Sequence, residues 1–201
     1  MPEEKGAFAP DVSAGISPPR RITEPFVKAR FALWLFQQGA VNITVSVDGA
    51  EPDADEVRRI LISEGYGFER AGRTLTSYAG IYTSKGNRAR VGARPGPDIT
   101  AEFGDGRRLQ AECKGEKTVS GVRSGTDWSG FCEVLGQLLM AVGDLESPPE
   151  FVALVLPKTQ RVVAFAERAG GNNLLRRIPV LISVVDADGR VESVGRKMQF
   201  K

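Results

Sequence analysis

The chain has 201 residues, of which 41% are hydrophobic and 26% charged, with a formal net charge of +2. This is the make-up of one globular domain with a buried core, and it excludes a polycation that holds nucleic acid by overall charge. Histidine is absent, which excludes hydrolases with a histidine base, two-histidine zinc sites and histidine-metal nucleases.

Met1 to Arg20 is rich in proline, glycine and glutamate and has no apolar run. It reads as a disordered arm, neither a signal peptide nor an anchor. Thr23 is placed to cap a helix from about Glu24 to Gln38, with Pro25 in the first turn and Gly39 past the end. Its apolar set of Phe26, Val27, Ala29, Phe31, Leu33, Trp34 and Leu35 is wider than one face, so the helix is expected to be well buried. An extended stretch follows at Val41 to Val47. Asp53 or Asp55 then opens a second helix, with Val57, Ile60 and Leu61 inward and Gly65 as its stop. Tyr66 to Arg94 is polar and glycine-bearing, and is read as one or two strands with a mobile loop.

Two alternating segments come next, and their chemistry is taken below. Beyond them, Thr126 or Asp127 caps a helix to about Asp144, with Trp128, Phe131, Leu135, Leu138, Leu139 and Val142 at helical spacing. Phe151 to Leu156 is an unbroken apolar run, as in a central strand covered on both faces. Val162 to Arg168 is a helix or a strand. Val180 to Val185 is another buried strand, which Asp188-Gly189 turns into a last one at Arg190 to Val194. Helices on both sides of a mixed central sheet make this an α/β domain. No segment reaches the roughly 18 apolar residues of a membrane span. Two cysteines, Cys113 and Cys132, are no disulfide scaffold. They are expected to be small core residues in a reducing, cytoplasmic setting.

The segment from Asp98 to Lys114 carries the chemistry. In Asp98–Phe103 and again in Arg107–Lys114, odd positions are apolar and even positions are polar, with Arg107 as the exception beside the turn. Directly paired residues share a face, so this parity sets the register of the hairpin. A two-residue turn would put apolar side chains opposite charges. A three-residue turn of Gly104, Asp105 and Gly106 pairs Phe103 with Arg107, keeps the parity, and needs Gly106 in the left-handed conformation. Asp98 then lies opposite Glu112, with Lys114 one step along the same face. Neighbouring carboxylates repel, and a hard divalent cation, Mg²⁺ or Mn²⁺ rather than zinc, resolves the repulsion. Lys114 beside such an ion can hold the water it acidifies, an arrangement suited to phosphodiester hydrolysis.

Pro97-Asp98, thirteen intervening residues, then Glu112-Cys113-Lys114 resembles the signature of the PD-(D/E)xK nucleases, the restriction-endonuclease-like superfamily. Gly115 after the lysine is similar to its Mrr-like and resolvase-like branch. The likeness runs from about Glu24 to Val185 in the order helix, strands, hairpin, helix, strand. It implies a restriction-endonuclease-like fold and a single nuclease-like domain over 21–201. It further implies metal ligation by Asp98, Glu112 and the backbone carbonyl of Cys113, with Lys114 orienting water. Family members often add a helical glutamate, for which Glu24 fits best and Glu56 competes. A supporting glutamine on the next helix is matched by Gln137, but Met140 or Ala141 stands where the RecB-type branch has tyrosine. The implied activity is an Mg²⁺-dependent endodeoxyribonuclease of restriction, defence or repair. Lys85, Arg88, Arg90, Arg94, Lys117 and Arg123 flank the motif as contacts to the nucleic-acid backbone. Cutting both strands of a duplex with one site per chain calls for a homodimer.

Blander readings stand beside these. The hairpin's polar face can be a solvated surface of ion pairs. Glu24 can simply favour the helix dipole, Gln137 can pair with Glu133 one turn earlier, and the basic residues can be an ordinary wet loop. Two other functions remain open: a module that binds nucleic acid or assembles on the same fold without chemistry, and a hydrolase of some other phosphate ester. Gly80-Ile81-Tyr82 spells half of the GIY-YIG nuclease signature, but no Tyr-Ile-Gly follows.

Overall fold

The structure, a computed structural model, describes residues 21–47, 54–70, 76–119, 122–124, 128–143, 148–170 and 180–195. The expected N-terminal arm lies outside them, as do Thr126 and Asp127, the expected caps of the third helix. Helix α1 spans Glu24–Gln37, and the Thr23 hydroxyl accepts from the Phe26 N–H at its start. Strand β1 (Ala40–Ser46) leads to α2 (Asp55–Ser63). Three strands follow: β2 (Gly67–Arg70), β3 (Gly80–Ser84) and β4 (Asn87–Gly92). The expected hairpin is β5 (Ile99–Phe103) and β6 (Arg108–Cys113). A short pair, β7 (Lys117–Val119) and β8 (Val122–Ser124), precedes α3 (Trp128–Gly143). Then come β9 (Phe151–Pro157), α4 (Gln160–Gly170), β10 (Val180–Val185) and β11 (Val191–Val194).

Among the described residues, nine strands form one mixed sheet in the order β11-β10-β9-β6-β5-β1-β4-β3-β2. Neighbours are mostly antiparallel, with parallel pairing at β1–β4, β6–β9 and β9–β10. The alternation of side chains divides the core in two. Ala153 and Val155 of β9 face the layer of α1 and α2, while Val152, Leu154 and Leu156 face α3 and α4. An unbroken apolar strand is therefore covered on both sides, as its composition requires. The α/β architecture with helices flanking a mixed sheet thus agrees with the sequence reading. Val162 to Arg168, open between helix and strand, lies within α4.

Among the described residues of Tyr66 to Arg94 there are three strands, not one or two. The missed hairpin turns on Lys85 and Gly86, both at positive φ (50° and 86°), between the paired residues Ser84 and Asn87. A two-residue turn of this kind matches strand twist, but lysine is a weak signal for it. Cys132 also departs from expectation. The inward stripe of α3 is Phe131, Val134 and Leu138, which leaves Cys132 exposed, whereas Cys113 is fully buried. Among the described residues no helix is long and apolar enough to cross a membrane.

Candidate metal and phosphodiester site

The hairpin has the register that parity demands. Ile99 pairs with Ala111 and Ala101 with Leu109. The Phe103 N–H donates to the Arg107 carbonyl at 2.9 Å, and Gly106 sits at φ +87°. One step before β5, Asp98 faces Glu112. Its Oδ2 accepts from the Cys113 N–H at 2.8 Å, which ties the carboxylate to the backbone of the opposite strand.

Burial and then the nearby carboxyl of Asp98 push Glu112 up to about 7, against the opposing pull of Lys114 and Lys28. A carboxylate held this far from its ordinary value sits in a place that suits its neutral form, or its anion only with further positive charge nearby.

Helix α1 supplies the rest of the site. Glu24 is in its first turn, and Glu24 Oε2 lies 3.8 Å from Lys114 Nζ. Glu24 Oε1 is 2.9 Å from Lys28 Nζ, one turn along, and Lys28 Nζ is also 2.9 Å from Asp98 Oδ1. Burial by itself would lower the Lys28 pKa, but the charges and hydrogen bonds of Asp98 and Glu24 outweigh it and hold the ammonium well above its usual range. Lys28 is only 1% exposed. Sequence reasoning passed over it as one polar residue among apolar neighbours. Its signal was the i,i+4 spacing to Glu24 on a helix too apolar to leave a lysine in solvent.

A clasp brings the helix start to the hairpin end. The Glu116 N–H donates to the Ile22 carbonyl at 2.8 Å, and the Ile22 N–H donates to Glu116 Oε2 at 3.2 Å. Gly115 lets the two segments touch. A Cβ there would fall 2.7 Å from the Thr23 carbonyl carbon and closer still to the Glu24 nitrogen. Glu56, the competitor of Glu24, is buried on α2 and accepts from the Thr23 hydroxyl. It serves the cap of α1, so Glu24 is the helical glutamate at the hairpin.

The other sequence candidates are spread more widely. Arg94 lines a cleft of about 440 Å³ with Lys28, Ser46, Gly96 and Asp98. Arg88 and Arg90 are exposed on β4. Pairing runs from Arg90 to Thr44, Thr100 and Gln110, so both arginines share the sheet face of Glu112, three strands away. Lys85 is at the β3–β4 turn, at the far end of that hairpin from Arg94. Lys117 and Arg123 belong to β7 and β8, with side chains outside the described part. Gln137 is exposed on α3, and no described hydrogen bond or ion pair links it to the hairpin.

Among the described residues, no three His, Cys, Asp or Glu groups are arranged as a ready metal cage. What exists is an adjacent pair of carboxylates, one pushed up by the other, beside a third that two lysines hold. Oxygen donors of this kind are the type that a hard divalent ion takes. Comparison with known proteins gives no match to a family model, a curated protein or a solved structure.

Proposed function

We propose that this protein is a divalent-metal-dependent endonuclease with a restriction-endonuclease-like fold that hydrolyses phosphodiester bonds of DNA. The observation that carries the reading is the convergence of Asp98, Glu112 and Glu24 with Lys28 and Lys114 at one end of the β-ribbon. Asp98 and Glu112 would hold the Mg²⁺ or Mn²⁺, with the adjacent Cys113 carbonyl as a further oxygen donor. A divalent ion there supplies an acidified water and neutralises charge on the phosphate. Glu24 keeps Lys114 directed along the face of Glu112, where its ammonium orients the attacking water. The Cys113 N–H and Lys28 fix both oxygens of Asp98, so that carboxylate is preorganised. The cleft lined by Arg94 gives a phosphate backbone access to Asp98, and Arg88 and Arg90 extend positive charge along the same sheet face.

A plasmid-nicking assay with Mg²⁺, with and without chelator, tests this. Glu112→Ala and Lys114→Ala should each reduce cleavage by about 100-fold or more while the fold persists. Full activity in either variant rules the mechanism out. One observation favours a second reading, a module without chemistry: Lys28 pairs with both Glu24 and Asp98 and offsets part of their charge. Calorimetry with Mn²⁺ separates the two. Binding that is lost in Asp98→Ala speaks for the nuclease, and no binding speaks for the inactive module.

A further inference from the structure

We infer that Lys28 is a built-in cation that takes the place of a second divalent ion, so that the Asp98–Glu112 centre binds a single ion per chain. The inference rests on the metal-dependent reading and specifies the stoichiometry of that same site. Its basis is the position of the ammonium. Lys28 Nζ sits 2.9 Å from Glu24 Oε1 and 2.9 Å from Asp98 Oδ1. It therefore bridges one carboxylate of the helix and one of the ribbon. In two-ion phosphodiesterase sites the metals lie about 3.5–4 Å apart and share bridging carboxylates. A second ion bound between Glu24 and Asp98 would have to displace this ammonium.

Displacement is opposed by burial and by charge. The Lys28 side chain is only 2% exposed, at the wall of the cleft that also reaches Asp98, and it is held there by two carboxylates. Lys28 and Lys114 already bring two positive groups to this cluster of carboxylates, so each added divalent ion meets more repulsion in a partly buried site. Lys28 is thus a positioning residue. It orients Asp98 and Glu24 and withholds from a second ion the oxygens such an ion would need.

The test is a calorimetric Mn²⁺ titration of the full chain, with Mn²⁺-induced thermal shift as a second readout. Wild type and Lys28→Arg should bind one ion per chain. Lys28→Met, which keeps the length of the stem without its charge, should take up a second ion or bind the first about tenfold tighter. Plasmid cleavage by Lys28→Met should fall, because the oxygens of Asp98 and Glu24 are no longer held. A lysine with only a packing role would lower stability without any gain in metal binding. Two ions per wild-type chain overturn the inference and leave the nuclease reading standing. So does folded Lys28→Met with unchanged or weaker binding. No Mn²⁺ binding by wild type removes the metal-dependent reading, and the inference falls with it. Should Lys28→Met fail to fold, the wild-type stoichiometry alone decides.

Discussion

Replacing Glu112 by glutamine should stabilise the metal-free protein at neutral and alkaline pH and leave it nearly unchanged in acid. In the folded chain the Glu112 carboxyl is pushed up from 4.5 to about 7 by burial and by Asp98. The folded state therefore binds this proton more tightly than the unfolded state does. The resulting stability is fully present below pH 4.5 and is lost as pH rises through about 7. At about 1.4 kcal/mol per pKa unit the whole effect has a ceiling of about 3 kcal/mol. Glu112 is only half-buried, and solvent screening brings a realistic figure to about 1–2 kcal/mol. Glutamine has the shape of the protonated form and cannot ionise, so it escapes the loss. For a chain of this size the difference corresponds to about 2–8 °C in the unfolding midpoint. Thermal unfolding in chelator at about pH 5 and about pH 8 measures it for both proteins. Near pH 5 the two should almost coincide, and near pH 8 Glu112→Gln should melt higher. Mn²⁺ should close the gap by stabilising wild type alone. Parallel pH profiles for the two proteins would refute the argument, because they would mean that neither burial nor Asp98 burdens the carboxylate.

Two further outcomes follow from the geometry. Gly115→Ala should destabilise the fold by about 1–3 kcal/mol, because its Cβ meets the backbone of Thr23 and Glu24. It should also lower cleavage more than unfolding explains, since Lys114 and Glu24 are forced apart; wild-type melting and activity would refute the role given to this close approach. Arg88→Glu with Arg90→Glu should weaken DNA binding and reduce the slope of log affinity against log salt by about 0.9 per lost phosphate contact. Mn²⁺ affinity should stay unchanged, and an unaltered salt slope in a filter-binding or fluorescence assay would remove these arginines from the interface.

Much of this molecule is legible along the chain. The Asp98–Glu112 opposition follows from alternation of period two and one glycine-bearing turn, both contained in seventeen consecutive residues from Asp98 to Lys114. The cap at Thr23, the buried runs of β9 and β10, and the absence of histidine are equally local properties. Other features were decided only by tertiary packing. Glu24 and Glu56 are both first-turn glutamates, and nothing in their sequence neighbourhoods says which one meets the hairpin. That depends on how α1 lies across the sheet and on the clasp between Ile22 and Glu116, 94 residues apart in the chain. Lys28 belongs to the same class in part: Glu24 is its neighbour one turn away on α1, but Asp98 is brought to it only by the fold. Side-chain alternation and turn conformation are settled by neighbours along the chain, whereas the electrostatic surroundings of a charged group are settled by whatever the fold packs against it.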